Sequence, residues 1–306
     1  MDLFHAMLAY RRVVELQSFS AAAADLRLTP AAVSKQIAAL EERLHCKLLH
    51  RTTRRLAMTP EGEAYYARCV QILDDVEEAE RELAPDAGVP RGKLRVNGPA
   101  AFGALHLSPL VPAMLERWPQ LELEISLTDR FIDLVAEGVD VAVRIAPVLP
   151  DSASLVAQRL ASSEVVFCAS PAYLRRRGVP STAADVADHD CVRYSGSLDQ
   201  RGWQFTGPEG EALVRASGRL VVDSGLLLRD ALLGSAGLGL LPSFYVAEEL
   251  ADGRLVRVLR DHEAPPVHVH AVYLRSKHTS PRVRHFVQLL RAHFSAASWA
   301  LPTATG

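Results

Sequence analysis

Apolar and polar residues near the N-terminus predict two helices separated by only a few residues. The segment 18–44 reads SFSAAAADLRLTPAAVSKQIAALEERL. Ser20 is expected to cap a first helix ending at Leu26, because a serine hydroxyl satisfies free backbone N–H groups at a helix start. Thr29 is expected to cap a second helix, with Pro30 at its first position, where a missing N–H costs nothing. A tight turn joins the two helices.

The second helix has two different faces. Apolar residues recur with helical spacing and predict a buried face; they are Val33, Ile37, Leu40 and Leu44. The other face carries Ala31, Ala32, Ser34, Lys35 and Gln36. Small side chains let a backbone approach base edges, to which hydroxyl and amide groups can bond. The pattern favours a helix-turn-helix with its second helix in a DNA major groove. An ordinary pair of core helices is the alternative.

A basic segment, HCKLLHRTTRRLAMT, follows this helix. Arg51, Arg54 and Arg55 stand among threonines with strand propensity, so we expect a hairpin that contacts phosphates.

A longer helix is predicted over 60–83, again from a threonine cap followed by proline. Its apolar stripe, opposite a face rich in acidic residues, predicts a seam for a second copy of the chain. The stripe consists of Tyr66, Val70, Leu73 and Val76. The proline- and glycine-containing segment APDAGVPRG then indicates a hinge.

From Arg91 onward, short apolar strands alternate with helices. Strands are predicted at 93–97, 121–128, 139–145, 164–169, 220–222, 238–241 and 268–274. Helices are predicted at 103–118, 131–137, 172–177, 225–235 and 282–294. This alternation predicts mostly parallel sheets covered by helices and arranged as two lobes. Ligands of such sheets bind where loops converge outside the carboxyl ends of the strands.

Charge is unevenly distributed along the 306 residues. The whole chain has a net charge of −2, but nine basic and five acidic residues give residues 1–59 a charge of +4, leaving −6 for the rest. A basic head on an acidic body predicts one module for a polyanion and another for a different ligand. The opening MDLFHAMLAYRR lacks the layout of a signal peptide, and no apolar run approaches the ~20 residues that span a bilayer. We therefore expect a cytoplasmic protein without a membrane partner.

Motifs for catalysis or metal binding are weak. The cysteines are Cys46, Cys69, Cys168 and Cys191. They lack metal-ligand spacing, so reduced structural thiols are expected, with a redox pair as the alternative. His268 and His270 point the same way on a predicted strand, but a metal site needs a third ligand. No G-x-S-x-G elbow or Walker motif occurs. The sequence predicts neither an enzyme nor a cofactor; an enzyme or a solute-binding protein remains the alternative.

The motifs SFSAAAADL, TPAAVSKQIAALEERL and HRTTRRLAMTPEG resemble those of LysR-type transcriptional regulators. LTDRFIDLVAEGVDVAVRI, CASPAYLRRRGVPSTAADVADHDCVRY and GSAGLGLLPSFYVAEELADGRLVRVL resemble the effector-binding domain of that family. The resemblance covers nearly the whole chain. It implies an N-terminal all-α winged helix-turn-helix plus an α/β type-II periplasmic-binding-protein-like effector domain of two subdomains.

The resemblance also implies domain boundaries and partners. The winged helix-turn-helix covers 1–59, the linker dimerisation helix 60–84, the hinge 85–92 and the effector-binding domain 91–300. Within that domain, subdomain I covers about 91–163 and 267–299, and subdomain II about 164–266. The implied partners are double-stranded promoter DNA, a small-molecule effector, further copies in a homodimer or homotetramer, and RNA polymerase.

By the same resemblance, the DNA-reading side chains are Ala31, Ala32, Ser34 and Gln36, with Arg51, Arg54 and Arg55 in or beside the wing. Ser20, Thr29, Pro30 and Lys35 complete the predicted DNA-binding set. The effector cleft maps to Asn97, Pro99, Ala100, Thr128, Asp129, Arg144, Trp203 and Asp223, with Trp203 at the end of a segment that starts at Ser195.

The chain departs from the family pattern at several positions. His45 replaces a glycine after the reading helix and is expected to adopt a left-handed backbone conformation. Leu49 replaces a phenylalanine. Pro99 and Ala100 lack the hydroxyls that many relatives offer to a ligand.

Two effector-site assignments stay open. Arg144 either faces an anionic ligand or pairs with a cleft aspartate, Asp129 or Asp223. Trp203 is either a core residue or an aromatic wall of the cleft.

Overall fold

A computed structural model describes residues 2–51, 56–82, 88–150, 152–195, 202–277, 280–297 and 299. The chain divides into two compact units: Met1–Pro90 with Phe131–Asp140, and Arg91–Arg130 with Val141–Gly306. Within the described ranges, no helix combines the length and the apolar character needed to cross a membrane.

The described residues of the first unit form four helices and a small antiparallel sheet. They are α1 (Leu3–Leu16), α2 (Phe19–Asp25), α3 (Pro30–Leu44), β1 (Leu49–Arg51), β2 (Leu56–Met58) and α4 (Pro60–Glu82). A shared core joins all four helices; Tyr10, Val13, Ile37 and Leu40 are fully buried in it. The buried face of α3 matches the predicted stripe, although Leu44 is only half-buried.

The helix caps confirm one expectation and correct another. Thr29 Oγ1 accepts a hydrogen bond of 3.2 Å from the Ala32 backbone N–H, and Pro30 begins α3 as predicted. The cap of α2, however, is Ser18, whose Oγ accepts from Ala21 N at 3.2 Å. Ser20 lies inside the helix. A cap needs an extended backbone one residue before the helix, and Ser18 has it, with φ −157° and ψ 123°.

The end of α3 also follows the sequence-based expectation. His45 adopts the left-handed conformation, with φ 54°. Its backbone N–H still bonds to Glu42 O at 3.2 Å, so the helix end is satisfied in spite of the missing glycine.

The apolar stripe of α4 belongs partly to the core of its own chain, which corrects the predicted seam. Leu73 is 1% exposed and packs in the same core as α1. Tyr10 Oη donates to Gly62 O at 2.9 Å, and Arg11 bonds to Asp74 at 2.8 Å, which fixes α4 against α1. Ile72, in contrast, is 49% exposed. Leu83 and the predicted hinge residues 85–87 lie outside the described part.

The second unit alternates strands and helices. Its strands are β3 (Gly92–Gly98), β4 (Leu121–Leu127), β5 (Val141–Ala146), β6 (Leu155–Ser163), β7 (Val165–Ala169), β8 (Cys191–Tyr194), β9 (Trp203–Gly207), β10 (Gly210–Val214), β11 (Leu220–Val222), β12 (Leu238–Pro242), β13 (Val256–Arg257) and β14 (Val267–Leu274). Its helices are α5 (Ala100–Phe102), α6 (Val111–Arg117), α7 (Pro171–Arg177), α8 (Gly225–Leu233), α9 (Ala247–Ala251) and α10 (Pro281–Ser295).

Two five-stranded sheets form two lobes. The first lobe has the order β4-β3-β5-β14-β6 and the second has the order β11-β8-β12-β7-β13. Strand β3 runs parallel to β4 and β5, whereas β14 is antiparallel to β5 and β6. In the second lobe, β8 is parallel to β11 and β12, and β7 is antiparallel to β12 and β13. The sheets are therefore mixed rather than mostly parallel, because the returning strands run in the opposite direction.

Two predicted helices differ in form. The segment after α5 is a π-helix (Gly103–Leu107) followed by a 3-10 turn (Ser108–Leu110) before α6. Pro109 and Pro112 explain part of this irregularity, since proline cannot donate to the helical ladder. The predicted helix at 131–137 is only a single turn, which ends where Gly138 takes a φ of +64°.

The two lobes meet through polar and aromatic contacts. His106 Nε2, from the π-helix, lies 3.0 Å from Phe244 O of the second lobe. Ser163 Oγ and Ser243 Oγ are 2.9 Å apart. The rings of Phe102 and Phe244 pack edge to face at 5.1 Å. The core of this unit is therefore continuous from one lobe to the other.

Candidate DNA-binding and effector-binding sites

The predicted reading residues lie on the part of α3 that its core does not cover. Ala31 and Lys35 are exposed, and Ala32, Ser34 and Gln36 are half-buried. Thr29 and Pro30, at the exposed start of the helix, cap and begin it. The side-chain amide oxygen of Gln36, Oε1, is buried and has no hydrogen-bond partner among the described residues.

A buried carboxylate, which the sequence analysis missed, links α3 to the following strand. Glu41 is 8% exposed, and its Oε1 accepts backbone hydrogen bonds from Leu48 at 3.0 Å and Leu49 at 3.3 Å. Its Oε2 lies 2.7 Å from Lys47 Nζ. Burial alone would raise the pKa of Glu41, but these hydrogen bonds outweigh burial and hold the pKa below its usual value. Its position on the apolar stripe, one residue after Leu40, was the available signal.

The wing is a short hairpin. Leu49 pairs with Met58, and Arg51 with Leu56, in antiparallel register. Arg54 and Arg55 lie outside the described residues, as does the side chain of Arg51, so their predicted role stays a prediction. Thr59 Oγ1 donates to Lys47 O at 2.6 Å and accepts from the Gly62 N–H at 2.9 Å, which connects the hairpin to α4.

Close packing at the start of α4 requires glycine. A Cβ added at Gly62 would lie 2.1 Å from Leu48 O, a distance that no side chain can adopt. Helix α4 therefore lies directly against the backbone just before β1, where a side chain at position 62 would not fit.

Helix α2 is oriented by a bidentate ion pair. Arg12 Nε and NH2 bond to the two carboxylate oxygens of Asp25 at 2.7 and 2.6 Å. Arg12 NH1 also bonds to Glu15 at 2.6 Å. The turn between α2 and α3 contains Arg27, exposed and with φ 55°. The ion pair therefore ties the end of α2 to α1, just before the turn that leads into α3.

Asn97 and Arg144 lie together beneath the strand ends of the first lobe. Asn97 is 1% exposed and Arg144 is 8% exposed. Arg144 NH1 donates to Asn97 Oδ1 at 2.7 Å and to Val143 O at 3.0 Å. Asn97 Nδ2 donates to Ser126 O and Ser126 Oγ at 3.1 and 3.0 Å. Asn97 is therefore a connecting residue of the sheet, with both ends of its amide already engaged.

The adjacent loops bring together four further predicted residues. Pro99 precedes α5 and offers no capping side chain, and Asp129 Oδ1 accepts from the Ala100 N–H at 3.3 Å. Thr128 N–H donates to Gly98 O at 2.8 Å, which places this loop beside the end of β3. The exposed Asp129 thus supplies an acceptor for the backbone N–H at the start of α5, which Pro99 cannot provide.

Two tyrosines of the second lobe lie within electrostatic range of Asp129 in these loops. Register pairs Tyr194 with Val222, which places Asp223 just beyond the strand end beside Tyr194. Burial, followed by the negative charges of Asp129 and Asp223, raises the pKa of Tyr194. Burial also raises the pKa of Tyr245, with smaller contributions from Tyr194 and Asp129. Asp129 and Asp223 thus approach one tyrosine from opposite lobes. Sequence reasoning missed both tyrosines, although Tyr194 directly precedes the predicted segment that starts at Ser195.

Trp203 is a core residue, which corrects its assignment to the effector cleft. Its side chain is 2% exposed and packs edge to face on Phe167 at 5.5 Å. A cleft wall would present a ring face to the ligand. The residues 196–201 of the same predicted segment lie outside the described part.

The cysteines and histidines show no metal site in the described ranges. Cys69, Cys168 and Cys191 are buried, and Cys46 is half-buried; all four are free thiols. Burial raises the pKa of Cys69 to about 11 and that of Cys168 to about 12, so both stay protonated at neutral pH.

A helical head with a capped reading helix and a β wing, together with a body of two mixed α/β lobes, defines a winged-helix DNA-binding protein with a ligand-binding domain. Residues 4–63 match the family model of the bacterial regulatory helix-turn-helix protein, lysR family. Residues 87–295 match the LysR substrate binding domain. The chain belongs to the LysR family of transcriptional regulators.

Individual relatives agree over nearly the full length. The chain is 37% identical to the HTH-type transcriptional regulator DmlR of Escherichia coli over 96% of this chain and 94% of that protein. The solved structure of CrgA, a LysR-type regulator from Neisseria meningitidis, matches with 30% identity and a TM-score of 0.62 over 95% of this chain and 98% of that one. The full-length virulence activator AphB of Vibrio cholerae matches with 26% identity and a TM-score of 0.58 over 96% and 100%.

Proposed function

We propose that this regulator reads promoter DNA with the exposed face of α3 and contacts phosphates with the β1–β2 wing. Ser34 and Gln36 would bond to base edges, while Ala31 and Ala32 would allow close approach. Lys35 and the wing arginines Arg51, Arg54 and Arg55 would supply charge.

One observation carries this proposal: the start of α3 is exposed while the rest of the helix is fixed from behind. Thr29 caps the exposed end, and Glu41 holds the other end to the backbone of the wing strand. A reading helix must keep a fixed position relative to the phosphate contacts, because those contacts set its register on the duplex. The Glu41 bonds provide this coupling between helix and wing.

We further propose that the regulator acts in the cytoplasm as a homodimer or homotetramer and contacts RNA polymerase. The boundaries are those implied by the sequence: head 1–59, linker helix 60–84, hinge 85–92 and effector domain 91–300. Ile72 is the apolar residue of α4 that we assign to the contact with a second copy, because Leu73 beside it is used by its own core.

A small-molecule effector would bind where the strand ends of the two lobes face each other. We assign Pro99, Ala100, Thr128, Asp129 and Asp223 to this cleft and add Tyr194 and Tyr245. Asn97 and Arg144 support it from beneath. An effector changes DNA binding only if its affinity differs between two arrangements of the protein.

The test is a selection of DNA fragments from genomic DNA by the purified full-length protein, followed by footprinting of the selected fragments. We expect protected half-sites about one or more helical turns apart. Ser34→Ala should need a higher protein concentration to give these footprints, whereas Ser152→Ala, which changes an exposed serine of the second unit, should give them at the wild-type concentration. Absence of any selected fragment, together with turnover of a metabolite, would favour an enzyme instead.

A further inference from the structure

Four basic side chains lie on one face of the first-lobe sheet. Register pairs His270 of β14 with Arg144 of β5 on one side and with Arg159 of β6 on the other. Directly opposed residues of antiparallel strands share a face, as do residues two apart along a strand, so His268 lies on this face too. These residues, Arg144, Arg159, His268 and His270, are called the basic row.

A β-bulge brings Arg159 into this row. The pairing of β14 with β6 shifts between Val269 and His270, so that Ala161 pairs with Val269 and Arg159 with His270. The extra residue, Leu160, is 3% exposed and packs in the core. Bulges of this kind re-aim a side chain. Here the bulge places a guanidinium beside an imidazole where regular pairing would place a leucine.

One histidine of the row has hydrogen-bonding capacity that the described residues do not use. His270 is 9% exposed, and its Nδ1 is buried without a hydrogen-bond partner in the part of the chain that the structure describes. His268 Nδ1 lies 2.8 Å from Ser162 Oγ. Arg159 is exposed, and among the described residues no carboxylate lies within ion-pair distance of Arg159, His268 or His270. Natural proteins leave few buried polar groups unsatisfied, so each one requires a reason.

The electrostatics of the row oppose additional positive charge. Burial lowers the pKa of His268, and the charge of Arg159 lowers it further. Burial likewise lowers the pKa of His270, with further lowering from the charges of His268 and Arg159, which a backbone hydrogen bond with His268 offsets only in part. A bound anion would reverse this repulsion and offer an acceptor to each donor.

We propose that the basic row binds a small oxyanion of the carboxylate or phosphate type. The anion lies against Arg159 and the half-buried His268 at the solvent end, with His270 beneath it. This site consists of sheet residues of the first lobe and does not include the cleft residues Asp129, Asp223, Tyr194 or Tyr245. Of the four residues of the row, only Arg144 also belongs to the proposed effector site, which it supports from beneath.

The test is a titration of the full-length protein, labelled with 15N at its histidine rings, with inorganic phosphate and separately with acetate. Chloride keeps the ionic strength constant. We expect saturable shifts of the ring nitrogens of His268 and His270, assigned with His268→Gln, while those of His106 and His189 stay unchanged. A response to phosphate alone or to acetate alone supports the site and identifies the type of oxyanion.

Arg159→Gln provides the decisive variant because Arg159 is exposed and its replacement does not disturb the core. Loss of this charged donor should weaken the saturable response about tenfold. Arg260→Gln, a change at another exposed arginine of the same unit, should leave the response unchanged. Linear shifts without saturation, or equal affinity in both variants, would overturn the proposal.

Discussion

The guanidinium of Arg144 donates to the amide oxygen of Asn97 across 2.7 Å, and this bond joins β5 to β3 in the interior of the first lobe. Asn97→Leu removes the acceptor of a buried charge and should lower the free energy of unfolding by about 2 to 3 kcal/mol. Urea unfolding followed by circular dichroism measures the change. Ser126→Ala, which removes only a hydroxyl acceptor of Asn97, should cost about 1 kcal/mol. Equal stability of Asn97→Leu and wild type would contradict this structural role.

DNA specificity should depend on Ser34. Its replacement by alanine is expected to weaken binding to specific sites by about 1 to 3 kcal/mol while leaving binding to random DNA unchanged. Fluorescence anisotropy with a selected site and a scrambled duplex measures both affinities. Equal losses on the two duplexes would place the base-reading face elsewhere.

Removing a phosphate contact should change DNA affinity in a different way from removing a base contact. Arg54→Ala should weaken binding to all sequences and reduce the slope of log affinity against log salt by about one unit. The measurement is the same anisotropy titration repeated over a range of salt concentrations. An unchanged slope removes Arg54 from the phosphate contacts.

Substitutions at two neighbouring residues of α4 should distinguish a defect in folding from a defect in oligomer assembly. Leu73→Glu places a charge in the core of its own chain, so we expect unfolding of the head at a lower temperature, a cost of several kcal/mol. Ile72→Glu should keep the melting temperature of the head but yield smaller assemblies in light scattering, because a charge opposes association across an apolar contact. Unchanged mass for Ile72→Glu would exclude Ile72 from the interface.

Stability should fall as the pH drops below neutrality. Burial lowers the pKa of His106, His189, His268 and His270 from the unfolded value of 6.5. The unfolded chain therefore binds more protons, so the free energy of unfolding decreases as pH falls through about 6.5. Glu41, whose pKa is lowered from 4.5, adds a further loss below that value. Urea midpoints at about pH 7.5 and about pH 5.5 measure the histidine contribution.

His106 provides the control for this dependence. His106→Gln keeps an amide donor for Phe244 O but does not titrate, so the decrease in urea midpoint between the two pH values should become smaller. A decrease identical to that of the wild type would show that His106 does not contribute.

Helix starts could be predicted from the sequence where the capping residues identify the first helical residue without ambiguity. Thr29 and Pro30 define a helix start by themselves, and the structure confirms it. The cap of α2 was misplaced by two residues because Ser18 and Ser20 offer the same hydroxyl. Only the backbone conformation, which is extended at Ser18, distinguishes them.

Burial alone does not reveal what covers a side chain. The apolar spacing around Leu73 predicts a buried seam equally well for a partner or for its own core, and the choice depends on how α4 meets α1. The sequence likewise predicts that Trp203 is covered, but it does not show whether the core or a ligand in the cleft covers it. The pairing of Arg159 with His270 joins residues more than a hundred positions apart through a bulge, which no short pattern encodes.

The bond between His106 and Phe244 O holds the two lobes together at one polar contact, so any separation of the lobes at this place has to break it. A hydrogen bond weakens steeply once its geometry departs from the ideal, so a rotation of one lobe against the other must break it outright. If the proposed effector moves the lobes apart at this contact, part of its differential binding energy must offset the loss of this bond.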